Sequence, residues 1–159
     1  MELAAISRRL ELDALYADYA HCLDDDALEA WPGFFVEDCY YRITSAENFE
    51  AGFPLGIVYL TSRAMLVDRV MALRKANIYE PQRYRHQIGA VKILGEDKDG
   101  LDVVASLIVV RTMQDGAMSL FAAGRYIDRV VRDGGNWRFA RKEVVLDSRQ
   151  IDTLLAIPL

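Results

Sequence analysis

The sequence predicts an α+β fold in which helices pack on one face of a long, strongly curved antiparallel sheet, a half-open cone. Three observations lead there. Apolar residues recur at helical spacing over residues 3–23 and again over residues 62–76. Asp99-Gly100, Asp115-Gly116 and Gly134-Gly135 are turn signals, and they divide residues 84–148 into runs of strand composition. No linker, repeat or low-complexity stretch interrupts the 159 residues, a length suited to one domain, residues 1–159, around one core.

In the first helix, Leu12, Tyr16, Tyr19 and Leu23 share one face, and Ile6, Leu10, Ala14 and Ala17 form a neighbouring stripe. Together they predict a helix well buried against the sheet. Asp24-Asp25-Asp26 is expected to cap and solvate a short helix over residues 27–31, which stops near Pro32-Gly33. The triplet lacks the alternating ligands and the glycine of an EF-hand loop. Residues 39–44 read as a strand, 45–56 as a loop and 57–60 as a short strand. The next helix starts after a cap at Thr61 or Ser62 and carries Met65, Leu66, Arg69, Val70 and Leu73 on one side. Four strands follow, over residues 84–95, 101–113, 117–132 and 136–148, joined tightly enough for a sequential antiparallel meander. Strands this long seldom stay flat, which is why the sheet should curl.

The strand over residues 101–110 is apolar on both faces. Leu101, Val103, Ala105, Leu107 and Val109 line one, and Val104, Ile108 and Val110 stand on the other beside Asp102 and Ser106. An antiparallel sheet open to water should alternate, so a second cover is expected, either another subunit or parts of this chain. The apolar tail Leu154-Leu155-Ala156-Ile157-Pro158-Leu159 is costly unless docked. Leu107, Ile108, Leu155, Ile157 and Leu159 are therefore the candidate interface residues.

Composition narrows the function. The chain is 52% hydrophobic and 27% charged, as a folded globular chain is. A net charge of −5 argues against a nucleic-acid binder, because phosphate recognition needs a basic face, but suits docking on a protein. The basic stretch Arg74, Lys75, Arg83 and Arg85, interleaved with Tyr79 and Tyr84, reads as a solvated face or a subunit contact. The N-terminal residues lack a basic segment followed by an apolar run, and no uncharged apolar run reaches about 18 residues. A cytoplasmic protein without a membrane partner is expected, with Cys22 and Cys39 as free buried thiols.

Two histidines are present, His21 and His86, and neither has a second His or Cys at metal spacing. A Rieske [2Fe–2S] centre takes two Cys and two His, and a mononuclear non-haem iron takes two His and a carboxylate. The chain cannot furnish both, so no metal or cofactor site is expected in it. No dinucleotide fingerprint, Walker A sequence or nucleophile elbow occurs. Acid–base chemistry stays open: His86 and Tyr41, with Asp147 or Glu143, lie on strands of a cone that could enclose a pocket for a ketone or a dehydration substrate. The alternatives are a hydrogen-bonded structural histidine with interstrand polar pairs, and a small-molecule binding module.

An ordered set of segments runs through the chain. It comprises Tyr19-Ala20, Trp31-Pro32-Gly33-Phe34-Phe35, Cys39-Tyr40-Tyr41-Arg42-Ile43, Gly56-Ile57-Val58, and Ala64-Met65-Leu66-Val67-Asp68-Arg69-Val70. It continues with Arg83-Tyr84-Arg85-His86, Val109-Val110-Arg111-Thr112, Gly124-Arg125-Tyr126-Ile127-Asp128, Asp147-Ser148 and Ile157-Pro158-Leu159. In this order and spacing the chain resembles the small (beta) subunits of Rieske-type aromatic-ring-hydroxylating dioxygenases, nearest in look to those acting on benzoate-type substrates such as terephthalate and salicylate. The resemblance implies a cone-like NTF2-like (cystatin-like) fold, a homotrimer, and assembly with a large alpha subunit into an α3β3 hexamer. It implies that the alpha chain carries the Rieske cluster, the catalytic iron and the substrate pocket, and that the beta chain is chiefly structural. The fold is shared with ketosteroid-isomerase-like and dehydratase-like enzymes, and fold does not fix function.

Overall fold

A computed structural model describes residues 2–76, 80–150 and 155–159. The chain begins with α1 (Leu3–Asp24), then a 3-10 helix (Leu28–Phe34), β1 (Phe35–Ser45), α2 (Ala46–Glu50), β2 (Val58–Leu60) and α3 (Arg63–Lys75). Five strands complete it: β3 (Gln82–Ile88), β4 (Lys92–Glu96), β5 (Gly100–Met113), β6 (Met118–Asp133) and β7 (Asn136–Leu146). The sheet order is β2-β1-β7-β6-β5-β3, and β4 also pairs with β5. All pairs are antiparallel except β1 with β7. This is the helices-on-a-curved-sheet fold that the sequence predicts.

Local chemistry explains most boundaries. Ser62 caps α3 by accepting the Met65 amide, and Ser45 caps α2 by accepting that of Asn48. The second helix falls inside the segment expected to be loop; five residues are too few to show a helical period. Gly134 and Gly135 both have positive φ in the β6–β7 hairpin, as the turn signal predicts. Gly100 acts differently: it lies in β5, where an added Cβ would come 2.4 Å from the Val130 carbonyl oxygen. The glycine there permits a close strand approach rather than a left-handed turn.

Three expectations are corrected. The run over residues 84–95 is two strands, because the chain steps at Gly89-Ala90. β3 then pairs with the far half of β5 and β4 with its near half. The stripe Ile6, Leu10, Ala14 and Ala17 on α1 is not buried; Leu12, Leu15, Tyr16, Tyr19 and Leu23 form the single face turned to the core. A helix at the rim of a cone has only one face to cover. The aspartate triplet does not cap the 3-10 helix, whose N-cap Ala27 has no side-chain bond. Asp24 instead accepts the His86 amide of the edge strand β3, and Asp26, with positive φ, binds Arg74.

The core lies between α1, α3 and the concave side of the sheet. Aromatic rings dominate it, with Tyr19 edge-on to Phe139 at 5.5 Å and Trp31 edge-on to Tyr41 at 5.2 Å. Leu101, Val103, Ala105, Leu107 and Val109 are buried on this side. The described tail, residues 155–159, turns into the same core, where Ala156, Ile157 and Leu159 are buried. Reading Leu107, Ile157 and Leu159 as subunit contacts is therefore corrected, since this chain buries them itself. Leu155 is half-buried and Ile108 exposed. Leu154 and Tyr79 lie outside the described residues.

Candidate functional site

The cone interior is the place where this fold could hold a ligand, and here side chains fill it. Asp128 on β6 and Lys142 on β7 are paired across the ladder and point inward. Both side chains are wholly inaccessible to solvent, with Lys142 Nζ 2.6 Å from Asp128 Oδ2. The Tyr16 hydroxyl donates to the same carboxylate oxygen. Four rings surround the ammonium: its nitrogen lies 3.6 Å from the Tyr126 centroid and 4.0 Å from that of Phe139, with Tyr19 and Tyr16 next.

Burial pushes the Lys142 ammonium down to about 8, against the pull of Asp128. It pushes the Asp128 carboxyl upward, against Lys142 and Tyr16. The direction is the same for both, toward the neutral form, because desolvation outweighs the mutual attraction. The hydroxyls of Tyr16, Tyr19 and Tyr126 are raised far above the usual phenol range, again chiefly by burial.

Beside this pair the tail is clasped. The hydroxyls of Tyr19 and Tyr41 both donate to the Leu159 carbonyl oxygen at 2.9 Å. Trp31 Nε1 donates to the Tyr19 hydroxyl at 3.1 Å, and Arg69 donates to the Leu155 carbonyl at 2.9 Å. Tyr41 thus lies fully buried, holding the tail.

His86 sits elsewhere. Its Nδ1 is 2.6 Å from Asp24 Oδ1, and its amide donates to the same carboxylate. Its side chain is wholly enclosed, and that of Asp24 is 2% exposed. Nε2 is buried with no hydrogen-bond partner among the described residues. A cleft of about 480 Å³ lies alongside, lined by Asp13, Tyr16, His21, Asp24, His86 and Ile88 among others. It reaches neither Tyr41 nor Asp147, and Asp147 is exposed beyond the end of β7. The pocket candidates His86, Tyr41 and Asp147 are not brought together: one latches a strand edge, one holds the tail and one faces water. Glu143 pairs with Arg42 at 3.1 Å on the outer side of the sheet.

Asp24, Asp128, Lys142 and Tyr16 were not among the candidate site residues read from sequence. A signal existed for two of them. Asp128 alternates with Tyr126 and Val130, and Lys142 with Val144 and Leu146, so each charge falls on an apolar period-2 face. Asp24 and His86 are 62 residues apart and carry no local signal.

Among the described residues no group of three His, Cys, Asp or Glu side chains is placed to hold a metal ion. Cys22 and Cys39 are free thiols, each raised to about 11 by burial. No described helix is long and apolar enough to cross a membrane.

A sequence model for the ring hydroxylating beta subunit matches residues 19–153. The chain belongs to that family. It is 41% identical over 150 residues to the terminal oxygenase component subunit beta 1 of terephthalate 1,2-dioxygenase from Comamonas sp., covering 94% of this chain and 97% of the relative. It is also 41% identical to the anthranilate 1,2-dioxygenase small subunit of Burkholderia cepacia, covering 94% and 92%. A crystal structure from Novosphingobium aromaticivorans, of a protein assigned as the beta subunit of an aromatic-ring-hydroxylating dioxygenase, superposes with a TM-score of 0.89. That protein is 40% identical, with 99% of this chain and 100% of the other covered. A protein from the same organism assigned as a scytalone dehydratase superposes with a TM-score of 0.68 at 18% identity, which is a likeness of fold alone. The NTF2-like architecture is thus common to beta subunits and to proteins of other function.

Proposed function

We propose that this chain is the non-catalytic, structural beta subunit of an aromatic-ring-hydroxylating dioxygenase. On this reading it forms a homotrimer that carries a large alpha subunit in an α3β3 hexamer. The alpha chain would oxidise a benzoate-type aromatic substrate with O2, as part of aromatic compound catabolism. The Rieske [2Fe–2S] cluster and the mononuclear iron would lie in that partner. The two histidines of this chain do not suit either centre, since His86 is committed to Asp24 and His21 lies on another element. The free thiols fit the reducing cytoplasm as the place of action.

The observation that carries the structural role is the filled cone. Trp31, Tyr16, Tyr19, Tyr41, Tyr126, Phe139 and Lys142 are all enclosed, and the tail packs against them. Family membership supports the oxygenase context. A solitary isomerase or dehydratase built on His86 would need that imidazole open to a substrate, and it is sealed.

Co-expression with the large subunit tests the proposal, followed by light scattering and iron analysis. The expected result is a heterohexamer that contains iron only when the large chain is present. A chain that never binds the large subunit, and turns over a ketone or hydroxy substrate by itself, would overturn it.

A further inference from the structure

The tail is held the way a ligand is held. Residues 155–159 belong to no helix or strand, so no backbone ladder fixes them. A set of donors does. The Tyr19 and Tyr41 hydroxyls converge on one oxygen, the Leu159 carbonyl, each at 2.9 Å. The Leu159 amide donates in return to the Tyr41 hydroxyl at 3.1 Å. Arg69 donates to the Leu155 carbonyl at 2.9 Å. The apolar part of the tail, Ile157 and Leu159, packs into the core cluster that includes Trp31, Tyr41 and Leu66.

Two features exceed what a neutral tail requires. The first is charge. Arg69 faces no carboxylate among the described residues; it meets a neutral carbonyl, and its Nε is buried without a hydrogen-bond partner. Its charge is felt at the clasp. Burial raises the Tyr41 hydroxyl, while the bond to Leu159 and the nearby Arg69 pull it down. The second feature is access. Ile157 lines a cleft of about 670 Å³, together with Leu23, Tyr84, Arg83 and Arg85 among others. The tail therefore separates an open cleft from the interior of the cone.

We propose that residues 155–159 are the built-in occupant of a binding site, and that with the tail displaced the site takes a small apolar carboxylate, an aryl or branched-chain acid. Its carboxylate would accept from the Tyr19 and Tyr41 hydroxyls and from Arg69, and its apolar body would take the place of Ile157 and Leu159. A carboxylate offers acceptors only, and these three side chains supply donors to it. The guanidinium makes the preference one for an anion over a neutral carbonyl compound, since charge-assisted bonds are roughly twice as strong as neutral ones. Aromatic and aliphatic walls around a few convergent polar groups are the usual make-up of a small-molecule site. The inference goes beyond the structural role and assigns binding, not turnover.

Calorimetric titration of the full-length chain with sodium benzoate, and with benzyl alcohol as the neutral counterpart, tests this. The tail competes for the site, so apparent affinity follows the fraction of chains whose tail is displaced. L159A should bind benzoate about tenfold or more tighter than the wild type, and tighter than it binds benzyl alcohol. L159V, which keeps most of the buried anchor, should fall between the two and replaces L159A if circular dichroism shows that L159A does not fold. Adding R69Q to either variant should bring benzoate down to the level of benzyl alcohol. Three results would overturn the proposal: equal benzoate affinity in the wild type and the tail variants, benzyl alcohol bound as tightly as benzoate, or a preference for benzoate that survives R69Q. Whether the same variants still join the large subunit is read separately by light scattering, so failure of the site and failure of the beta-subunit reading are told apart.

Discussion

The inside and the outside of the β5–β6 ladder are built from similar residues and do opposite things. Inside, Leu107 and Val109 are closed off within the chain, and the charges Asp128 and Lys142 are matched to each other at 2.6 Å. Outside, on the same two strands, Ile108 and Leu120 stay exposed and Arg125 has no ion-pair partner among the described residues. The apolar side chains of the inner face are covered by this chain, and those of the outer face are not. A side chain's neighbours, rather than its hydropathy, decide whether it belongs to stability or to assembly. The comparison also places the tail: Ile157 and Leu159 belong to the inner class.

The largest effect is expected from unpairing the interior. Lys142→Ala leaves Asp128 enclosed without its cation and should cost about 3–5 kcal/mol in chemical denaturation. The double change K142M/D128N removes both charges and should cost clearly less. An equal loss in the two would mean that volume, not charge, governs the site. Next comes the tail. Leu159→Ala should destabilise the folded chain by about 2–4 kcal/mol, as buried leucine truncations do. If thermal unfolding is unchanged while assembly fails, the tail belongs with the outer face after all.

A smaller effect is expected at the strand edge. Asp24→Ala strips the acceptor from the His86 amide and ring and should cost about 1–3 kcal/mol. Hydrogen exchange at β3 should accelerate while β6 and β7 stay protected. The pH response tests the interior in another way. Lys142 is near 8 in the folded chain against 10.5 for the ordinary side chain. Between those values the unfolded chain binds more protons, so this group makes stability rise with pH across that window. Below about 8 its burial penalty is fully present. The K142M variant should lack this alkaline slope in denaturation midpoints measured at successive pH values. The smallest effect on folding belongs to the outer face. Ile108→Asp should shift monomer stability by no more than about 0.5 kcal/mol, whereas Leu107→Asp, one residue away, should prevent folding. Sedimentation of the Ile108 variant should show weakened self-association.

Much of the fold was legible because it rests on local rules. The α1 face with Leu12, Tyr16, Tyr19 and Leu23 follows helical period, and the β6–β7 hairpin follows from two adjacent glycines with positive φ. The break at Gly89-Ala90 was not legible, since a strand that changes neighbours partway keeps its composition. The exposure of Ile6 and Leu10 was hidden for a similar reason: an apolar stripe reports what could be buried, and the cone's rim offers cover for only one face. The site was less legible than the fold. His86 and Tyr41 were singled out for their chemistry, yet hydrogen bonds to Asp24 and Leu159 commit them to structure.

The sequence by itself determined the fold class, the hairpin positions, the family, and the shortage of histidine for iron centres of the Rieske oxygenase kind. Those depend on periodicity, turn chemistry and residue count, all of which survive in one dimension. The tertiary structure alone decided that Asp128 meets Lys142 within an aromatic cage, that β1 runs parallel to β7, and that the tail closes the cone. Each joins residues far apart in the chain, or pairs charges whose state depends on being taken out of water together, and neither circumstance is written in any local stretch of sequence.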